Sequence, residues 1–314
     1  MIDRYGRKIE YLRLSVTDRC NLRCIYCMKE DGICKRQHSE ILSIEELTEI
    51  AQAAYELGIK KIRLTGGEPL VRKGVLTLCR NIKAIDEDIE LVMTTNGTLL
   101  PEYAAELKTA GVDRLNISLD TLNAETYRTI TRRGELSDVL SGIKAAQNAG
   151  FTHTKINAVL IGGINDNEIL DIMRLARDDD LHVRFIELMP MDIVRGWDKS
   201  RFLSADIVKE HLNNYDLIGY DGVAKIYRPN GYKGTVGIIS PLSHSFCDRC
   251  NKLRVTADGK LKPCLHSGEE INLRGLHGDQ LTEAIKDGIN SKKKCHNLGE
   301  FHSEAARGMN EIGG

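Results

Sequence analysis

The stretch from Cys20 to Cys27 spaces three cysteines as C-x3-C-x2-C, with Tyr26 immediately before the last. A second set, Cys247, Cys250 and Cys264, follows as C-x2-C-x13-C. Cysteine thiolates bind zinc and iron–sulfur clusters, and a closed site normally takes four ligands. Three leave a coordination position open, which suits a catalytic centre better than a structural one. The first set also reads as a zinc knuckle completed by a distant residue such as His38, although its x3 gap fits zinc pairs poorly. The second is as compatible with a zinc ribbon as with a cluster, and His266 stands near it as a candidate fourth ligand. Two open three-cysteine sets in one chain are more specific than either alone.

Other residues point to an anionic ligand. Arg13, Lys61, Arg63, Lys155 and Arg184 all fall in β-branched runs that read as strands. Basic side chains on a strand that faces a core are costly unless an anion neutralises them; the alternative is that they point outward to water. The segment LTGGEPL (64–70) closes one such strand, and its glycines would let backbone approach a ligand closely.

The elements that must carry these residues alternate. Strand candidates run over 11–17, 60–66, 90–96, 114–120, 153–161 and 182–189. Helical patterns lie between them at 43–58, 100–111, 135–150 and 166–178, the first opened by a Ser43/Glu46 capping box and stopped at Gly58. Six strand–helix units predict a parallel sheet and an open, partial barrel, with ligands at the C-terminal strand ends. From about 204 the strands shorten and a turn appears at Asp258-Gly259. This predicts an α/β barrel over 1–200 and a smaller α+β region over 201–314.

Composition excludes several classes. Among 314 residues, 44 Lys and Arg balance 45 Asp and Glu for a net charge of -1, so no basic field marks a nucleic-acid binder. No apolar run reaches the ~18 residues of a membrane span, and the N-terminus lacks the apolar core of a secretory signal. A cytoplasmic protein is expected, in which nine cysteines would not be disulfide-bonded. Cys79 lies in an apolar helical pattern and reads as a core thiol, while Cys34 and Cys295 have no clustered partner.

The C-x3-C-x2-C motif with its aromatic residue resembles the signature of radical S-adenosylmethionine (SAM) enzymes. That resemblance implies a partial (β/α)6 barrel. It also implies a 4Fe-4S cluster on Cys20, Cys24 and Cys27, whose open iron chelates SAM and whose electron cleaves it to a 5′-deoxyadenosyl radical. Tyr26, Gly66, Gly67, Glu68, Ser118 and Met189 match positions near SAM. The blocks YLRLSVTDRCNLRCIYCM, KKIRLTGGEPLVR, TTNGTLL, RLNISLDTL and ITRRGELSDVLSGI, the second cysteine block and the terminal Gly313-Gly314 together resemble one subfamily, the GTP 3′,8-cyclases of molybdenum cofactor biosynthesis. This implies a second 4Fe-4S cluster on Cys247, Cys250 and Cys264 that binds the guanine edge of GTP. It implies GTP contacts at Arg13, Lys61, Arg63, Thr94, Lys155, Arg184, Lys252, Leu253 and Arg254, and a double-glycine tail that reaches the active site. Lys252 stands where the subfamily usually has Arg, keeping the charge without the bidentate fork. A reductant protein, hand-off to the next pathway enzyme and a homodimer are further expectations.

Overall fold

The computed structural model describes residues 1–32, 36–191, 199–212, 214–296, 298 and 303–313. Five strand–helix units and a sixth strand open the chain: β1 (Tyr11–Ser15), α1 (Ile44–Glu56), β2 (Lys61–Thr65), α2 (Val75–Ile85), β3 (Glu90–Thr95), α3 (Leu100–Thr109), β4 (Arg114–Ser118), α4 (Ala124–Thr131), α5 (Leu136–Asn148), β5 (Thr154–Leu160), α6 (Ile169–Asp178) and β6 (Leu181–Glu187). All six anticipated strands form, and α2 and α4 are helices beyond those anticipated. The capping box is present, with Glu46 N–H donating to Ser43 Oγ at 3.1 Å and Ser43 N–H to Glu46 Oε2 at 2.7 Å. Gly58 ends α1 with a positive φ of 93°, its N–H donating to the Tyr55 carbonyl.

After β6 come α7 (Ile207–Glu210), β7 (Tyr215–Asp221), β8 (Ala224–Pro229), β9 (Thr235–Ile239), β10 (Lys252–Val255), β11 (Lys260–Lys262), β12 (Ile271–Asn272), α8 (Gly278–Asn290) and α9 (Met309–Ile312). These later strands extend the first sheet at both flanks. The order is β12-β11-β10-β1-β2-β3-β4-β5-β6-β9-β8-β7. Both β10 beside β1 and β9 beside β6 run parallel to their neighbours, so the parallel arrangement continues past the six anticipated strands. The Asp258-Gly259 turn joins the antiparallel pair β10–β11.

Successive side chains on a strand point to opposite faces, so each strand carries two jobs. Leu12, Leu14, Ile62, Leu64, Leu91, Met93, Leu115, Ile117, Val183 and Phe185 take one phase and are buried in the main core with α1–α6. The other phase lines a cavity of about 490 Å³. A closed barrel fills its interior with packed side chains; this sheet keeps two free edges, and its interior remains a cavity.

Candidate functional site

The cavity is lined by polar side chains in register. Tyr11 pairs with Lys61 on β2 and Lys252 on β10; two residues on, Arg13 pairs with Arg63 and Arg254. Lys155 and Arg184 join from β5 and β6, so Arg13, Lys61, Arg63, Lys155, Arg184, Lys252 and Arg254 all line the same space. The basic strand residues therefore point inward. They sit on the N-terminal and middle rows of the strands, and not at the C-terminal ends where ligands were anticipated. The open interior accounts for the difference, because a ligand can lie between the strands instead of above them.

The two cysteine sets occupy opposite ends of these strands. Cys20, Cys24 and Cys27 follow the C-terminal end of β1. Cys250 precedes β10, whose N-terminus is level with that of β1, and Cys264 follows β11. All six thiols line the cavity, and none is in a disulfide. In the first set, burial with the charge of Glu68 pushes Cys20 up to about 11, and burial with Cys20 pushes Cys27 up to about 12. Leu22 N–H donates to Cys20 Sγ at 3.4 Å, and Asn96 Nδ2 reaches it at 3.9 Å. Half-buried, mutually repelling thiols, with donors aimed at the Cys20 sulfur, suit thiolates on a cationic iron centre. In the second set burial opposes ionisation, yet His296 and Ser245 bring Cys247 down to about 7, and Lys292 and Lys252 lower Cys250. Both donor sets fit an iron–sulfur cluster.

Among known proteins, the Radical SAM superfamily model matches residues 14–176, and Molybdenum Cofactor Synthesis C matches residues 181–298. A GTP 3′,8-cyclase of Peptoclostridium acidaminophilum is 50% identical over 322 residues, covering 100% of this chain and 98% of that protein. One from Alkaliphilus oremlandii is 47% identical over the full length of both. The chain belongs to the GTP 3′,8-cyclase family. Proteins of this family are radical SAM enzymes and carry 4Fe-4S clusters. Among solved structures, SuiB of Streptococcus suis bound to S-adenosylmethionine aligns with a TM-score of 0.66 at 15% identity, over 89% of this chain and 68% of that one. Methylornithine synthase aligns at 0.52 and 17%, over 66% and 62%. Both share the fold.

The remaining residues matched to the GTP 3′,8-cyclases are placed as follows. Tyr26, Ser118 and Met189 line the cavity, and Tyr26 donates to Asp120 at 2.7 Å. Gly66 and Gly67 also line it, but their side-chain space is closed by protein. A Cβ on Gly66 would lie 2.4 Å from the Thr17 carbonyl oxygen, and one on Gly67 2.3 Å from that of Arg19. These glycines are required because the segment zips onto the cysteine loop, through Gly67 N–H to Thr17 O and Glu68 N–H to Arg19 O. The Glu68 carboxylate is fully buried and accepts from Leu70 N–H, Thr95 Oγ1 and Asn96 N–H, so it braces the strand ends. Burial raises its pKa to about 7.

Thr94 accepts from Arg63 at 3.0 Å. Leu253 lies on the opposite phase of β10 from Lys252 and Arg254 and is fully buried in the core. His266 lines the cavity beside Cys264 and contacts Ser303 Oγ at 3.0 Å through Nδ1. Cys79 is fully buried in the core and Cys295 is exposed. Gly313 adopts φ 86°, its carbonyl accepts from Arg254 at 2.9 Å, and a Cβ there would lie 2.5 Å from Thr65 Oγ1. Gly314, Cys34 and the side chain of His38 lie outside the described residues.

Sequence reasoning missed Tyr11, Asn116, Asn157, His296 and Asp221, all of which line the cavity. Strand phase could have found three of them, since Tyr11, Asn116 and Asn157 stand two residues from Arg13, Ser118 and Lys155. Buried oxygens of Asn116 and Asn157, and Lys252 Nζ, meet no hydrogen-bond partner among the described residues, which suits groups that await a ligand. The electrostatics agree. Burial pushes Lys61 and Lys252 down to about 8, and burial with Arg184 pushes Lys155 to about 7. Burial alone would raise Tyr11, yet Arg63, Arg13, Lys252 and Lys61 bring it down to about 7. This cation excess is what a polyanion would relieve.

Proposed function

We propose that the chain cyclises GTP to (8S)-3′,8-cyclo-7,8-dihydroguanosine 5′-triphosphate, an early step of molybdenum cofactor biosynthesis. The observation that carries this is two open three-cysteine sets at opposite ends of one cavity, with a field of Arg and Lys between them. When bound, the first cluster with SAM would supply a 5′-deoxyadenosyl radical to abstract hydrogen from C3′ of GTP, and closure of the C3′–C8 bond would be completed by one electron and one proton delivered to the guanine ring.

The chain's own residues bind, orient and shield. Cys20, Cys24 and Cys27 would hold the first cluster, with Tyr26, Ser118, Met189 and the Gly66–Glu68 backbone beside SAM. Cys247, Cys250 and Cys264 would hold the second cluster at the guanine end. Lys61, Arg63, Lys155 and Arg184, with Thr94 behind Arg63, would grip the triphosphate. Arg13, Lys252, Leu253 through its backbone, and Arg254 line the path between. Arg254 also holds the Gly313 carbonyl, so Gly313 would lie beside the reacting atoms. On this reading residues 1–200 carry the SAM chemistry, and residues 201–314 complete the substrate site.

A reductant protein, hand-off of product to the next enzyme, a cytoplasmic setting and a homodimer complete the reading. No helix among the described residues is long and apolar enough to cross a membrane. The edge strand β7 exposes Leu217, Ile218 and Tyr220, a surface suited to a second copy.

The test is 5′-deoxyadenosine release from SAM by anaerobically reconstituted protein under dithionite, with GTP carrying deuterium at C3′. Stimulation by GTP with deuterium in the 5′-deoxyadenosine is expected. Release indifferent to GTP would point to peptide modification instead, and no release to a non-catalytic metal-binding module.

A further inference from the structure

At Lys155 and Arg184 the anion-binding field already holds an anion. Asp221 Oδ2 accepts from Lys155 Nζ at 2.6 Å and from Arg184 Nη2. It stands at the end of β7, at the tip of the β7–β8 hairpin, where Gly222 takes a φ of 63°. That tip lines the cavity through Asp221, Gly222 and Val223. A bulge between Leu217 and Gly219 shifts the phase of β7 along the way.

The pair is asymmetric. Lys155 and Arg184 are fixed on central strands with side chains 4% and 10% exposed, whereas the Asp221 side chain is 44% exposed. The cations cannot leave, but the carboxylate can swing into water at little desolvation cost. A second carboxylate serves the field at Lys61: Glu90, the first residue of β3, pairs with Lys61 and Arg114.

We infer that Asp221 is a displaceable internal counter-ion that occupies the phosphate site until a phosphate ligand takes its place, and so sets an affinity threshold that a ligand must exceed to bind. The inference rests on the nucleotide reading above. Displacement separates one carboxylate from two cations, so a ligand gains only if its own charge on those cations exceeds what it removes. A triphosphate brings about four charges and a monophosphate about two. Asp221 therefore weakens all phosphate ligands by a similar factor.

The experiment is calorimetric titration of anaerobically reconstituted wild-type, Asp221→Asn and Asp221→Glu proteins with GTP, GDP, GMP and inorganic tripolyphosphate. Asp221→Asn should bind tripolyphosphate, GTP, GDP and GMP about three- to tenfold more tightly, by a similar factor for each. In turnover the same variant should lower KM for GTP more than it changes kcat. Asp221→Glu, which keeps the charge, should resemble wild type and shows that the hairpin tolerates substitution. Unchanged or weaker tripolyphosphate binding by Asp221→Asn would overturn the inference. Weakening that appears only with Mg²⁺ would do so too, by making Asp221 a ligand of a phosphate-bound cation. Should Asp221→Asn tighten tripolyphosphate while GTP binds neither protein, the counter-ion stands and the GTP reading fails.

Discussion

Lys155 shows how burial turns a basic residue into a sensor of its ligand. Burial and Arg184 hold its ammonium near 7, against the pull of Asp221, and burial holds Lys61 and Lys252 near 8. A bound polyphosphate favours the charged forms. At pH 8 these lysines are half or more neutral, so nucleotide binding should take up protons. At pH 6 they are already charged, and uptake should nearly vanish. GTP affinity should accordingly fall as pH rises from 7 to 9, a trend that titration in buffers of different ionisation enthalpy measures directly. The thiols give a second residue-level prediction. Cys20→Ala, Cys24→Ala or Cys27→Ala should abolish SAM cleavage, whereas Cys247→Ala, Cys250→Ala or Cys264→Ala should cut GTP turnover more than uncoupled SAM cleavage. Parallel assays of 5′-deoxyadenosine and cyclised product separate the two patterns.

At the scale of elements, close approach decides what is tolerated. The last turn of α9 brings Gly313 against Ser15 and Thr65 at the upper ends of β1 and β2. Arg36 pins α9 by pairing with Glu311 at 3.2 Å and Asp258 at 2.6 Å, and Asn310 donates to the Asp18 carbonyl. In Gly313→Ala the new methyl, at 2.5 Å from Thr65 Oγ1, forces the tail out of its slot. GTP turnover should fall by about tenfold or more while SAM cleavage continues uncoupled, because the loss is of positioning. Away from the cavity, Gly142 on α5 packs on the loop that precedes α3. A Cβ there would lie 2.0 Å from the Gly97 carbonyl oxygen. Gly142→Ala should destabilise the fold by about 1–3 kcal/mol or more, read as a lower thermal midpoint of the reconstituted protein.

Across the whole molecule, one sheet couples the two cysteine sets. Strand β10 brings the second set beside β1, which leads into the first, and the β7–β8 hairpin closes the other flank. Arg249, between Cys247 and Cys250, lies 3.8 Å over the ring of Tyr220, so the hairpin also touches the second cysteine loop. The exposed run at Leu217, Ile218 and Tyr220 on the edge strand should support self-association. Sedimentation is expected to show a dimer, and Leu217→Lys with Ile218→Lys should shift it toward monomer without loss of folding.

The local order of the chain determined much of this. Period-two runs alternating with capped amphipathic helices specify parallel strand–helix units, because each pattern buries one face in only one conformation. Cysteine spacing within a loop specifies a three-thiolate site for the same local reason. Tertiary structure alone decided the rest. Two registers, Tyr11 with Lys252 and His182 with Thr235, add β10 and β9 to the barrel, and nothing near those residues in the chain announces partners so distant. The reason for Gly66 and Gly67 also emerged only in three dimensions, since the contacting carbonyls belong to a loop some fifty residues earlier. Asp221 is the clearest case. A single carboxylate on an edge hairpin carries no sequence signal, and it meets Lys155 and Arg184 only because the sheet curls until its flank lies over its centre.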